Sequence, residues 1–176
     1  MLVGEKIILR PLKISDLEKV NLWRNNLELV KLTQGIRFPK TLEMDKAWFD
    51  RALNDTTNTN IYFGIDEIES KDFIGLFQLI NIDYISRTAI WGYVIGEKNK
   101  QKLGYGTIAG QLILNYAFNV LNLRKIYSYN LVGNEGTLKM QEKLGFGQEG
   151  MLKEHLYFGG EYHDVIILSI CNSIGS

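Results

Sequence analysis

Apolar positions change their spacing several times along this chain, and each change marks an element. Lys6-Ile7-Ile8-Leu9-Arg10 is a short β-rich run that Pro11 stops, because proline has no N–H for a ladder. Ser15-Asp16-Leu17-Glu18 has the form of a capping box, which predicts a helix from Asp16 through Trp23. Thr41 stands as the cap of a second helix, Leu42 to Leu53, in which Trp48, Phe49, Ala52 and Leu53 recur at helical spacing. The pattern then turns to strands. Asn60 to Asp66 and Phe73 to Ile80 flank a polar turn, Glu67 to Asp72, and read as a hairpin, with Thr88 to Ile95 as the third strand of a meander.

A long helix is predicted from Thr107 to Leu121, with Ile108, Leu112 and Tyr116 on one face and Ala109, Ile113 and Ala117 beside it. Lys125 to Asn130 reads as a strand, and Glu135 to Leu144 as a helix that Gly145 ends. Met151 to Phe158 and Tyr162 to Ile170 form a closing hairpin around Gly159-Gly160. The order is strand, two helices, three strands, helix, strand, helix, two strands. That is an α+β pattern with a mixed sheet, not the strict alternation of a doubly wound fold.

Composition narrows the classes. With 176 residues, the chain is expected to form one domain over 1–176, with no room for a second core. Twenty basic residues balance twenty acidic ones, so no global field draws the chain to nucleic acid or an anionic membrane, and neither partner is expected. Cys171 is the only cysteine, which excludes an intrachain disulfide. No apolar stretch of signal-peptide length follows Met1, and the run Ile108 to Leu121 is broken by Gln111, Asn115 and Asn119. The cytoplasm is the expected compartment. Two histidines and one cysteine lack ligand spacing, so no metal is expected, and no G-x-S-x-G elbow offers a serine nucleophile. Trp23, Trp48 and Trp91 are expected in the core.

The segment that carries chemistry is Gln101-Lys102-Leu103-Gly104-Tyr105-Gly106-Thr107, between a strand and the long helix. Its glycines let backbone approach a ligand closely, and the helix behind points free N–H groups and a positive dipole end at the same place. A pyrophosphate fits there, and Lys102 can add a charge; a plain glycine turn before a helix has the same spacing. Gly104-Tyr105-Gly106-Thr107-Ile108-Ala109 also fits the dinucleotide pattern G-x-G-x-x-G/A. A polar loop intervenes before it, however, and no acidic ribose ligand stands in Leu123 to Tyr127. Gly145 and Gly150 have Walker spacing, but Met151 follows where lysine is required.

The segment resembles the acyl-CoA motif Q/R-x-x-G-x-G/A of the GNAT superfamily of N-acetyltransferases. Asn134-Glu135-Gly136-Thr137 with Glu142-Lys143-Leu144-Gly145-Phe146 is similar to its second signature. Leu9-Arg10-Pro11, Asp16, Trp23-Arg24-Asn25 and Gly160-Glu161-Tyr162-His163-Asp164 resemble the branch of ribosomal-protein N-terminal and polyamine acetyltransferases. The resemblance implies a mixed, splayed β-sheet flanked by about four helices. It implies acetyl-CoA as acyl donor and a primary amine as acceptor, on a protein N-terminus or a small molecule, by direct attack. It also implies that Gln101 to Thr107 cradle the pyrophosphate and that Tyr93, Val94 and Ile95 pair with the pantetheine as an added strand. The Asn134 side chain is then expected to bond the cofactor arm, with Thr137 nearby. Asn134 is equally placed to cap its helix.

Two departures from the family stand out. Many members carry a glutamate where Ile90 falls, and a tyrosine acid where Gln141 falls. An amide supplies no proton at neutral pH, so the candidates for base and acid become Tyr129, Glu154, His155 and His163. Asp164 reads as a brace for the Gly159-Gly160 turn. A non-catalytic acyl-CoA-binding module is the alternative, and a nicotinamide oxidoreductase a distant third. The acceptor is expected among the two N-terminal helices and the closing hairpin. Thr33 to Lys40 carries few acids, which speaks against a tight polycation pocket. The family resemblance also implies a homodimer.

Overall fold

The computed structural model describes residues 1–33 and 38–172. Its framework is one eight-stranded sheet in the order β1-β2-β3-β4-β5-β6-β8-β7. The strands are β1 (Leu2–Val3), β2 (Ile7–Pro11), β3 (Ile61–Glu67), β4 (Phe73–Asp83), β5 (Thr88–Ile95), β6 (Lys125–Leu131), β7 (Gly147–Phe158) and β8 (Glu161–Cys171). Every neighbouring pair is antiparallel except β5–β6. The helices are α1 (Leu17–Arg24), α2 (Leu27–Thr33), α3 (Leu42–Leu53), α4 (Tyr105–Asn119) and α5 (Glu135–Lys143). The α+β class and the mixed, splayed sheet expected above are what the chain adopts, with a fifth helix added.

That addition is α2. Leu27, Leu29, Val30 and Leu32 do not mark one helical stripe, and only Leu29 and Val30 are buried. Asn26 Oδ1 accepts the Glu28 amide at 3.0 Å and starts the turn. The start of α1 also differs from expectation. Ser15 is not the cap; a 3-10 turn, Ile14–Asp16, precedes the helix, and Asp16 accepts the Lys13 amide at 2.8 Å. Asp16 is 3 % exposed and holds Arg10 through two contacts, 2.7 and 2.9 Å, while Arg10 reaches Asp66 at 2.6 Å. The motif residues Arg10 and Asp16 are therefore a structural clamp between β2, β3 and α1. Thr41 caps α3 as expected, accepting Met44 N–H at 3.2 Å.

Each face of the sheet carries its own core. Ile7, Leu9, Phe63, Ile65, Phe77, Leu79 and Trp91 pack with Ala109, Ile113 and Ala117 of α4. On the other face Leu17, Val20 and Trp23 of α1 and Phe49 of α3 pack with Leu76, Tyr62 and Val94. Side chains alternate between these faces along each strand. Pairing of β5 with β6 lasts for three residues, Thr88↔Lys125, Ala89↔Ile126 and Ile90↔Tyr127. Beyond Ile90 the two strands part, and that gap is where the site lies.

Candidate active site

The gap between Trp91–Ile95 and Ser128–Leu131 opens a cleft of about 1040 Å³. Because Trp91 and Tyr93 pack on the α4 face and Val94 on the α1 face, the cleft is a slit through the sheet that joins both. The β6-facing edge of β5 beyond Ile90 has no strand partner. An extended ligand can pair with it as a strand would.

At one end of the slit lies the loop before α4. Gly104 sits at φ +87, in the left-handed region that favours glycine, with open space around its Cα. The helix therefore begins at Tyr105, two residues earlier than the spacing predicts. Its hydrogen bonds begin with the Thr107 and Ile108 amides, both accepted by the Gly104 carbonyl at 3.0 and 3.1 Å. The Tyr105 and Gly106 amides are left at the positive helix end, the arrangement that binds phosphate. Lys102, at φ +61, lines the same rim, whereas Leu103 is 54 % exposed and lies outside the lining. Gln101 Nε2 donates to the Ile95 carbonyl at 2.9 Å and so fixes the loop to the end of β5.

A charged anchor holds this loop from behind. Glu67, 6 % exposed, accepts from the Tyr105 hydroxyl, from Lys100 Nζ at 2.5 Å and from Ser70 Oγ at 2.6 Å. Hydrogen bonds from Lys100, Ser70 and Tyr105, in that order, pull the Glu67 carboxyl down to about 2. The same contact raises the Lys100 ammonium and the Tyr105 phenol above their ordinary values.

Across the slit stands the start of α5. Asn134 Oδ1 accepts the Thr137 amide at 3.3 Å, and Asn134 Nδ2 donates to the Leu32 carbonyl of α2 at 3.0 Å. Here its side chain caps one helix and ties down another, and the residue still lines the cleft. Tyr93 reaches over the gap to Thr137, hydroxyl to hydroxyl at 3.2 Å, and its ring stacks on Phe77. Burial raises the Tyr93 phenol. A Cβ on Gly106 would lie 2.9 Å from the Tyr93 ring, so only glycine lets the two walls approach here.

The middle of the slit is polar on one wall. Gln141, 1 % exposed, accepts Ser128 Oγ at 2.6 Å and donates to Asn130 Oδ1 at 2.8 Å, while Asn130 Nδ2 donates to Ser128 Oγ at 2.8 Å. Gln141 thus completes a closed ring of hydrogen bonds, a structural role for the residue that replaces the expected tyrosine. Trp91 Nε1 is buried and has no hydrogen-bond partner among the described residues. A donor so left suits a ligand that supplies the acceptor.

Tyr129, 43 % exposed, lines the slit beside this ring. The other three candidates for acid or base do not line it. His163 stacks on Phe158, with Nε2 3.2 Å from the Phe158 carbonyl. Glu154 and His155 are exposed in a bulge of β7, where Glu154 has φ +48. Asp164 accepts the Glu154 amide at 2.8 Å and Lys153 Nζ at 2.8 Å, so it braces that bulge and not the glycine turn. Among the described residues no group of His, Cys, Asp or Glu is arranged to hold a metal.

At the far end of the slit only Arg24 belongs to a motif read from the sequence. Arg24 from α1, Trp48 from α3, Asn60 and Tyr62 from the β3 region, and Gln78 and Ile80 from β4 converge there. Trp48 is half-buried, packed at the edge of the core under α1 and α3; its ring lies edge-on against Tyr62 at 5.2 Å. Of the segment Thr33 to Lys40, residues 34–37 lie outside the described residues.

An acetyltransferase (GNAT) domain model matches residues 6–147. The chain belongs to the GNAT acetyltransferase family. It is an acyltransferase that takes acetyl-CoA as donor and an amine as acceptor, not a silent binding module or a nicotinamide enzyme. A spermidine N(1)-acetyltransferase of Vibrio cholerae serotype O1 is 29% identical over 97% of this chain and 96% of its own length. A putative ribosomal N-acetyltransferase of Bacillus subtilis is 34% identical over 54% of this chain and 52% of its own. The solved structure of a spermidine N-acetyltransferase from Vibrio cholerae, in complex with CoA and spermine, superimposes with TM-score 0.89 at 28% identity, covering 97% of this chain and 98% of that one. No helix among the described residues is long and apolar enough to cross a membrane.

Proposed function

We propose that this GNAT enzyme acetylates a primary amine by direct attack, with donor and acceptor meeting in the slit from opposite faces of the sheet. The single observation that carries this is the parting of β5 from β6 after Ile90, which leaves a strand edge and a through-passage at one place. The loop amides of Tyr105 and Gly106, with Lys102, bind the pyrophosphate. The open edge at Tyr93, Val94 and Ile95 pairs with the pantetheine, and Thr137 and Asn134 border it. Bound there, acetyl-CoA supplies an activated acyl carbon. The amine nitrogen takes the place of sulfur on that carbon, one proton leaves the nitrogen and one reaches the sulfur.

Proximity in the slit lowers the barrier, and Tyr129 is the phenol beside the gap that passes a proton toward the sulfur. Glu154, His155 and His163 take no part. The exposed edge of β7, twelve residues long, supports a homodimer, since unpaired edges invite pairing.

Calorimetric titration with acetyl-CoA, followed by free-thiol release across a panel of amines, tests this. Binding together with amine-dependent thiol release is expected. Tyr129→Phe should lower kcat by about 100-fold with acetyl-CoA affinity unchanged, the size of a lost general acid. Unchanged kcat would remove Tyr129 and leave positioning alone.

A further inference from the structure

We infer that the acceptor carries a carboxylate, held by the Arg24 guanidinium, and that this slit does not recognise polycationic amines. The inference rests on the transferase reading above and names its acceptor class; it adds no step to the reaction.

The charges come first. Among the described residues lining the cleft the only carboxylate is Glu135, on the first turn of α5, where Lys139 pairs with it at 3.1 Å. The acceptor end has none: Arg24, Trp48, Asn60, Tyr62, Gln78 and Ile80 are cationic, neutral polar or apolar. A polyamine brings two or more ammonium groups, each of which must trade hydration for a counter-charge on entering a partly enclosed site. Nothing on this wall supplies one.

Arg24 supplies the opposite. It is the last residue of α1, where the helix dipole favours a cation. Behind it Asp45, 1 % exposed, lies 2.7 Å from Arg24 Nη1 and uses its other oxygen on Asn21 Nδ2 at 2.8 Å. Trp48 lies 5.0 Å from the guanidinium carbon. Nη1 is buried against that carboxylate, while the Arg24 side chain keeps 23 % of its surface exposed in the cleft wall. A residue serving only as a brace would direct its fork at the buried carboxylate, as Arg10 does at Asp16. Arg24 is held at one nitrogen by Asp45 and stands part-exposed in the wall of the slit. The guanidinium fork matches a carboxylate with two parallel hydrogen bonds. The Trp48 and Tyr62 rings beside it fit an apolar or aromatic stem between that acid and the amine.

Matched pairs of amines that differ by the acid test this: phenylalanine against phenethylamine, and 6-aminohexanoate against 1,6-diaminohexane, with spermidine alongside. Binding to the CoA-loaded protein is read by calorimetry, and turnover by thiol release from acetyl-CoA. In at least one pair the carboxylate member should bind about tenfold or more tighter, as one charge-assisted pair allows. Arg24→Gln should reduce that ratio to near one while acetyl-CoA affinity holds, and Arg24→Lys should keep part of it. Preference for the diamine or spermidine would overturn the inference, as would binding of neither member or a ratio that survives Arg24→Gln. If Arg24→Gln fails to bind acetyl-CoA it has misfolded, and the wild-type pairs decide alone. Discrimination in binding without thiol release from any amine would sink the transferase reading and leave the carboxylate site standing.

Discussion

The phosphate end of the slit is made within seven consecutive residues, Gln101 to Thr107, whereas the acceptor end draws Arg24, Trp48, Tyr62 and Gln78 from four separate elements. In the function proposed, the first works through backbone amides that any side chain would leave in place, provided Gly104 and Gly106 remain. The second works through side-chain identity on a scaffold that tolerates change. One end therefore keeps the donor constant, and the other is free to choose the acceptor.

Substitutions at the phosphate end should have the largest effect on that contrast. Gly104→Val forces a β-branched residue to φ +87 and fills the anion site, so acetyl-CoA affinity should fall by about 100-fold by calorimetry. Trp48→Ala, its counterpart at the other end, should raise the acceptor KM several-fold and leave acetyl-CoA affinity within about twofold. Equal loss of donor affinity in both variants would break the division of labour. Between the ends, Gln141→Ala strips Ser128 and Asn130 of a buried partner. It should cost about 2 kcal/mol in urea unfolding and lower Tm by roughly 4–8 °C.

Acid offers a finer probe of the same contrast. The Glu67 carboxyl is held at about 2 against its ordinary 4.5, so the unfolded chain binds the extra proton first. Its contribution is complete above 4.5 and is lost as pH falls toward about 2. Stability against urea should therefore be flat in this respect above about pH 4.5 and decline as pH falls below it. Glu67→Gln should bind a few-fold more weakly at neutral pH and lack the acid decline from this group. Smallest of all, Glu154→Gln and His155→Gln should leave kcat/KM within about twofold, because neither side chain lines the slit.

The sequence was most legible where one local rule decides the structure. Thr88 to Ile95, the Gly145 stop and the phosphate loop each follow from spacing or from a glycine that no other residue replaces. Ser15 misled because Asp16, one position later, makes both the turn contact and the Arg10 clamp. Helix α2 escaped notice because its seven residues bury two side chains and owe their position to packing. The Asn134 bond to Leu32 joins positions 102 apart, and no local pattern encodes it. Arg24 was legible only within the Trp23-Arg24-Asn25 resemblance; its place beside Asp45 and Trp48 exists only once α3 packs alongside.

The three-residue seam between β5 and β6 has a thermodynamic consequence. Among the described residues it is the only ladder joining the meander of β1 to β5 to the three-stranded ribbon of β6 to β8. A cosubstrate lying in the crack as proposed would supply hydrogen bonds that a longer seam would have made, and so act as a clasp between two plates. Donor binding is then coupled to cohesion of the sheet, by about 2.7 kcal/mol when acetyl-CoA stands at 100 times its Kd. The donor pool would set not only how fast this enzyme turns over but how much of it stays folded.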